Sequence, residues 1–411
     1  MDLKEAAKTA VGLAQRLTPE KVELGRAMGR ILASDFAADR DVPGEARSKW
    51  DGYAVSSRDL ASASRAEPTV LDIIPGEITA GKRASFPSGA RKCFRIMTGA
   101  ALPAGMDAVI PFEDGVASGN DLVFNEPVSS GRGVIFPGSD TGEGEILLKE
   151  GDILSPTRIA LIAALGRNHV EVYRRPRIAV LATGDELRET YSASPDPVVF
   201  CNNIHLLSNL IRAGGGEPVF LEIAPDDPDV IFSRLEKAEA ELVITTGGMG
   251  KGSRDFVLAV WKRLGIKVHF DRLNVSPGKG SALGTGDDRI FLGLPGNPWA
   301  GQVIYEEIAA PIIRSFSGIR TDADFTFEAM NAAEMTKKKG SYRAFHGNLK
   351  IRGGVPTFTP NKGETQPGLS SFRAGYAYTL LDAEETFATE GQRIKVKLPD
   401  LPLIAWALLN P

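Results

Sequence analysis

The sequence predicts a multidomain protein combining an α/β domain with β modules, and three observations carry that expectation. Between residues 176 and 318, short apolar runs alternate with helical spacings. Such alternation implies repeated βαβ units and a mostly parallel sheet covered on both faces. From about 51 to 130, and again from 322 to 411, short strand-like runs are punctuated by glycine and proline, the pattern of small all-β modules. A length of 411 residues leaves room for roughly two to four domains with sizeable cores.

Residues 2–17 place Leu3, Ala6, Ala7, Ala10, Val11 and Ala14 on one helical face, and Thr18-Pro19-Glu20 ends it. The stretch 22–32 predicts a second, shorter helix. An extended Asp41-Val42-Pro43-Gly44 then leads into Ser48-Lys49-Trp50-Asp51-Gly52-Tyr53-Ala54-Val55, and residues 131–155 are again glycine-rich and extended. Ser155-Pro156-Thr157 opens a helix running to Leu165, since proline is tolerated in a first helical turn, and Gly166 stops it. In the alternating region, 177–182, 218–223, 242–245, 267–270 and 289–292 read as strands. There, 203–213, 228–240, 255–264 and 300–313 read as helices. The last region reads as a small β-barrel or sandwich. Its basic turn at 337–341 reads as a solvated face.

Composition removes several function classes. A net charge of −4 argues against a general binder of nucleic acid or anionic membranes. Two distant cysteines, Cys93 and Cys201, form neither a disulfide framework nor a zinc signature. The four histidines are scattered at 169, 205, 269 and 346, which leaves little for a histidine-based metal site or triad. The first residues are charged rather than signal-like, and no apolar run approaches about 18 residues. A soluble, cytoplasmic protein is expected.

The most informative stretch is E-L-V-I-T-T-G-G-M-G-K-G-S-R-D at 241–255. An apolar strand runs into glycines 247, 248, 250 and 252, and Ser253 and Asp255 stand where a helix should begin. Such a junction leaves backbone N–H groups free to hold an anion; equally, it is a tight turn whose glycines only tolerate positive φ. It is not a P-loop, because Thr245 and Gly252 occupy the places of the required glycine and Ser/Thr. The glycine spacing also misses the dinucleotide-fold pattern.

Loops at 183–186, 224–227, 246–255 and 293–298 all follow strands, so they should share one rim and bring Glu186, Asp226, Asp227 and Asp255 to one crevice. Two like charges 4 Å apart cost about 4 kcal/mol at an effective dielectric near 20. Gathered carboxylates therefore imply raised pKa values or a bound cation, and beside a phosphate a hydrated Mg²⁺ is the economical choice. The alternative is that these acids cap helices, which is the preferred reading for Asp227, directly before Pro228. In the β module, Asp51 before Gly52 and Thr98 before Gly99 are also ordinary turn residues.

In register along nearly the whole chain, several motifs together resemble the molybdopterin molybdenumtransferases, the MoeA-type molybdenum insertases that include the gephyrin E domain. These are V-E-L-G-R-A-M-G-R-I-L-A, S-K-W-D-G-Y-A-V, R-I-M-T-G-A-A-L-P, V-L-A-T-G-D-E-L, the T-T-G-G-M-G-K-G-S-R-D loop and G-L-P-G-N-P. The resemblance implies four regions: an elongated N-terminal and linker domain (1–40 and 131–172), a small β module (41–130), a parallel α/β sandwich of the molybdopterin-binding fold (173–318) and a C-terminal β-barrel (319–411). It implies a homodimer in which the β module of one subunit faces the α/β cleft of the other. It also implies Mg²⁺-dependent insertion of molybdate into adenylylated molybdopterin with release of AMP. Other cofactor-biosynthesis proteins and molybdoenzymes would be its partners.

Carried over by position, the resemblance implies Asp51, Asp140, Glu186, Asp226, Asp255 and Lys279 as catalytic groups. Of these, Glu186, Asp226 and Asp255 would hold the metal. Thr98, Thr183, Asn203, Gly247, Gly248, Ser253, Pro295 and Pro298 would shape the pterin-nucleotide pocket. The oxyanion would meet Arg272, Ser276, Arg343 and Ser371. Here the chain departs from the family: Arg272 and Ser276 stand where two lysines are usual, Gly347 where a second arginine is usual, and Cys201-Asn202-Asn203 replaces Asp-Ser-Asn. Fewer cations should bind a dianion more weakly. A non-catalytic paralogue that binds or carries molybdopterin or the mature cofactor is the alternative expectation.

Overall fold

The computed structural model describes residues 1–82, 89–189, 199–248, 256–319, 326–361 and 377–399. The chain divides into two compact units, Met1–Ser34 with Glu150–Pro411, and Asp35–Lys149.

The smaller unit is built on a six-stranded sheet. Its spatial order is Ala108–Pro111, Gly52–Val55, Lys92–Ile96, Thr69–Ile78, Asp121–Phe124, Val116–Ser118. Alternation along these strands feeds two cores. Tyr53, Val55, Leu71, Ile73, Cys93 and Ile110 pack on one face, while Ala54, Ile78, Phe94, Ile96 and Val109 pack on the other. A two-residue period on a sheet buried on both sides produces this division.

In the larger unit the central sheet runs Glu217–Ala224, Arg177–Thr183, Leu242–Thr246, Arg289–Leu294, Ala282–Gly286, Lys267–Phe270. The first four strands are parallel; the last two are antiparallel additions. The Ala282–Gly286 strand lies where no strand was expected, because two of its five residues are glycine and glycine weakens strand signals. Close packing explains the glycines: a Cβ at Gly284 would meet Ile266 at 2.6 Å.

Among the described residues, seven α-helices belong to this unit. They are α1 (Leu3–Leu13), α2 (Pro156–Ala164), α3 (Asn203–Ala213), α4 (Pro228–Lys237), α5 (Val257–Arg263), α6 (Pro298–Ile304) and α7 (Ala310–Phe316). Ile178, Val180, Ile244, Ile290 and Leu292 face α1, α3 and the 298–316 segment. Ala179, Leu181, Val243 and Phe291 face α4 and α5, where Trp261 is fully buried. Both faces are thus covered, as expected. The expected 300–313 helix is longer, but a π turn at Tyr305–Ala309 interrupts it. Pro311 has no N–H to return to residue 307, so the regular ladder cannot run through. The first helix stops at Leu13 rather than 17, and the Leu17 N–H instead donates to the Phe316 carbonyl at 3.0 Å.

Residues 22–32 do not form the expected helix. Pro19–Glu23 is a strand antiparallel to His169–Tyr173, Leu24–Arg26 is one 3-10 turn, and Ile31 and Leu32 bridge to Ile153 and Val172. Gly25 and Gly29 weaken a local helix, and the buried Arg30 guanidinium donates to the Tyr173 carbonyl at 2.8 Å. Long-range pairing overrode a weak local preference.

Beyond residue 326 the strands Tyr342–Arg352, Val355–Pro360, Phe327–Asn331 and Arg393–Val396 pair in that order. Ala377–Leu381 pairs back onto Tyr342–Arg352, and Tyr378 and Lys397 exchange backbone hydrogen bonds. Val275–Ser276 joins this sheet beside Tyr342–Arg343. Among the described residues no helix is long and apolar enough to cross a membrane.

Candidate functional site

The parallel register sets the site's floor. Thr183 is level with Ala224, Ala182 with Thr246, and Thr246 with Leu294, so the loops that follow leave from one edge of the sheet. At this edge the chain turns through Gly247 (φ +93°) and Gly248 (φ +60°). A Cβ on Gly247 would sit 2.5 Å from the Thr183 carbonyl oxygen, and one on Gly248 would sit 2.9 Å from Thr183 Oγ1. Glycine is therefore required here by backbone conformation and by space at once. Among the described residues, the buried hydroxyls of Thr183 and Thr245 have no hydrogen-bond partner, an unusual state for buried polar atoms.

Asn203, the first residue of α3, ties the edge together. Its Nδ2 donates to Thr246 Oγ1 at 2.9 Å and to the Gly296 carbonyl at 2.8 Å. Thr246 Oγ1 donates in turn to the Pro295 carbonyl at 3.2 Å, and the Gly247 N–H donates to the Leu294 carbonyl at 3.2 Å. Pro298 opens α6, capped by the Asn297 side chain, which accepts from the Ala300 N–H at 3.1 Å. Thr246 was not among the expected site residues; its signal was its place as the last strand residue before the glycines.

Of the acids expected here, Asp227 is a helix cap as preferred, accepting from the N–H groups of Asp229 and Val230 at 2.8 and 3.3 Å. The Asp226 N–H donates to the Asp185 carboxylate at 3.0 Å. Glu186 is exposed, and its carboxylate lies over Gly184, whose added Cβ would meet both oxygens at 2.8 Å. Asp255 and Ser253, with the start of the helix expected at 255, lie outside the described residues, as does Ser371. Among the described residues no three His, Cys, Asp or Glu side chains gather as a metal cluster.

Of the expected oxyanion residues, Ser276 and Arg343 meet at one strand junction. Ser276 is level with Arg343 on the adjacent parallel strand, and the Arg343 guanidinium lies 5.3 Å from the Phe345 ring centre. Lys279 and Arg272 are exposed. Their carbonyls accept from the Leu273 N–H at 3.0 Å and from the terminal amino group of Met1 at 2.8 Å, respectively. In the smaller unit, Asp51 accepts from both the N–H (2.7 Å) and the hydroxyl (2.8 Å) of Thr98. These bonds hold the Asp51 carboxyl below its usual range. Asp140 is exposed, its N–H donating to the Val42 carbonyl at 3.1 Å.

Comparison with known proteins places this edge. The profile described as "MoeA N-terminal region (domain I and II)" matches residues 1–166, and "Probable molybdopterin binding domain" matches 179–315. A molybdopterin molybdenumtransferase of Nostoc sp. is 30% identical over 92% of this chain and 88% of its own. The Chain belongs to the molybdopterin molybdenumtransferase family. A second relative of that name, from Bacillus subtilis, is 29% identical over 96% of this chain and 93% of its own. The expected enzyme class, a transferase, is that of these relatives. Among solved structures, a molybdopterin biosynthesis MoeA protein from Pyrococcus horikosii superposes with a TM-score of 0.88 at 28% identity. That match covers 97% of this chain and 99% of the other. The α/β strand edge just described lies within residues 179–315, the part matched by the probable molybdopterin binding domain.

Proposed function

We propose that this protein inserts molybdate into adenylylated molybdopterin and releases AMP, with the strand edge around Thr183, Gly247 and Pro295 as the pterin-nucleotide pocket. The observation that carries the reading is the edge itself. The parallel register sets three strand ends at one level, the Asn203 and Thr246 hydrogen bonds tie two of them together, and two glycines there leave no room for a side chain. Bare backbone at a strand edge lets a flat or phosphorylated ligand approach closely.

In this reading water cleaves the pyrophosphate, leaving one phosphate on the pterin and the other on AMP. Glu186, Asp226 and Asp255 would supply hard oxygen ligands to the cation. Mg²⁺ usually takes one or two protein carboxylates, the rest of its shell being water and phosphate oxygen, so these residues fit it. Bound there, Mg²⁺ would neutralise charge on the pyrophosphate. Asp51, ionised and fixed by Thr98, is suited to orient water or a cation. Ser276, Arg343, Arg272 and Lys279 would receive molybdate, the substrate oxyanion, with fewer cations than the family pattern supplies. The reading also carries the four-region division with its C-terminal β-barrel, a cytoplasmic homodimer, and exchange of product with other cofactor-biosynthesis proteins and molybdoenzymes.

The test supplies purified protein with adenylylated molybdopterin, molybdate and Mg²⁺ while AMP release and cofactor formation are followed. Release of AMP with formation of the molybdenum cofactor is the expected result. Tight pterin binding with no AMP release would replace the insertase by a carrier.

A further inference from the structure

We propose that Asn203 is a positioning residue: it sets the spacing between the Gly247 turn and the Pro295–Gly296 loop, and it is not a ligand for phosphate. The inference deepens the pocket assigned above and rests on that reading for its consequence in catalysis. The orientation of the amide follows from its neighbours. A backbone carbonyl can only accept, so the atom 2.8 Å from the Gly296 oxygen is the NH₂ group. Its second proton is directed at Thr246 Oγ1, 2.9 Å away, which leaves that hydroxyl's own proton for the Pro295 carbonyl. Both amide donors are therefore spent on the protein. The remaining atom, Oδ1, is an acceptor. It repels phosphate oxygens and can meet only a donor such as an amino, ring N–H or hydroxyl group.

The tie spans large separations in sequence, 43 residues to Thr246 and 93 to Gly296. Beneath it the two loops already touch, since the Gly247 N–H donates to the Leu294 carbonyl. A Cβ built on Gly296 would lie 3.6 Å from the Gly247 Cα. That backbone bond and the side-chain relay from α3 hold the approach together.

The test compares Asn203→Ala, Thr246→Val, the double variant and Thr246→Ser in the full-length protein. Two quantities are read: hydrogen exchange at the Gly247 amide without ligand, and the Kd for AMP. A hydrogen bond is worth about 0.5–1.5 kcal/mol, so each single variant should speed exchange and weaken AMP by roughly two- to tenfold. The double variant should lose less than the sum of the two single ones, because the Asn203–Thr246 bond is shared by both residues. Thr246→Ser, which keeps the hydroxyl, should restore both values. Unchanged exchange in Asn203→Ala overturns the proposal whatever the ligand does, and so do additive losses of AMP affinity. If the unmodified protein fails to bind AMP, the functional reading falls while the exchange comparison still decides the tie.

Discussion

Replacing Gly247 by alanine separates two costs that the site combines. The left-handed backbone at this residue, φ +93°, costs a Cβ-bearing residue about 1–2 kcal/mol. The new Cβ would also stand 2.5 Å from the Thr183 carbonyl oxygen. That contact is with backbone in the central sheet and cannot swing aside, so a further ~1–3 kcal/mol of overpacking is expected. Gly29 is the control: it has φ +71° but nothing within 4 Å of a built Cβ. Gly29→Ala carries the backbone cost alone, and both variants share the gain of roughly 0.4–1 kcal/mol from a less flexible unfolded chain. The difference between the two therefore isolates the clash. Urea unfolding followed by tryptophan fluorescence, with the slopes compared to exclude a changed unfolded state, should place Gly247→Ala about 1–3 kcal/mol below Gly29→Ala. AMP binding should fall only in the former. Equal destabilisation of the two variants would refute the close approach of Gly247 to Thr183.

Thr98→Val should raise the Asp51 pKa back towards its ordinary value, followed by side-chain NMR titration. Because the folded pKa lies below 3.8, the Asp51–Thr98 contribution is present above that value and is lost as pH falls through the lower folded pKa. Glu307 accepts from Tyr378 (2.7 Å) and Lys397 (2.8 Å) where the helical 298–316 segment meets the C-terminal sheet. Lys397→Met should cost about 1–3 kcal/mol in unfolding experiments, between exposed and fully buried pairs, while an unchanged midpoint would show the pair is solvated. Cys93 is buried, and burial pushes its thiol up to about 12, so at pH 8 neither it nor the buried Cys201 should react with a thiol reagent until urea unfolds the chain.

The parts of the fold that were legible in the sequence are those whose signal is local. Helix α3 begins and ends at 203 and 213 as expected, because an apolar face meets glycine at 214. Asp227 caps α4 as expected, because a carboxylate before proline is a short-range arrangement. The failures share the opposite character. The 22–32 segment has helical spacing, but its partners are His169–Tyr173 and Ile153, more than a hundred residues away, and no periodicity shows such pairing. Glycines concealed the Ala282–Gly286 strand for a similar reason, since their purpose is contact with Ile266.

The same distinction sorts the candidate site. Sequence spacing and family resemblance group residues that touch a ligand with residues that hold the loops in place, because both are placed on the same rim. Hydrogen-bonding capacity separates them. Asn203 has both donors committed and Thr246 is used as donor and acceptor, so these two act on the loops. Asp227 is committed to the start of α4, which removes it from the acids that could meet a cation. The Thr183 hydroxyl is buried with its capacity unspent, directly against the Gly247–Gly248 turn. A buried hydroxyl left without a partner costs about 1–3 kcal/mol, and a ligand or a shift of the turn that satisfied it would recover that energy. Thr183 is thus the member of the edge whose removal should weaken ligand binding more than it weakens the fold.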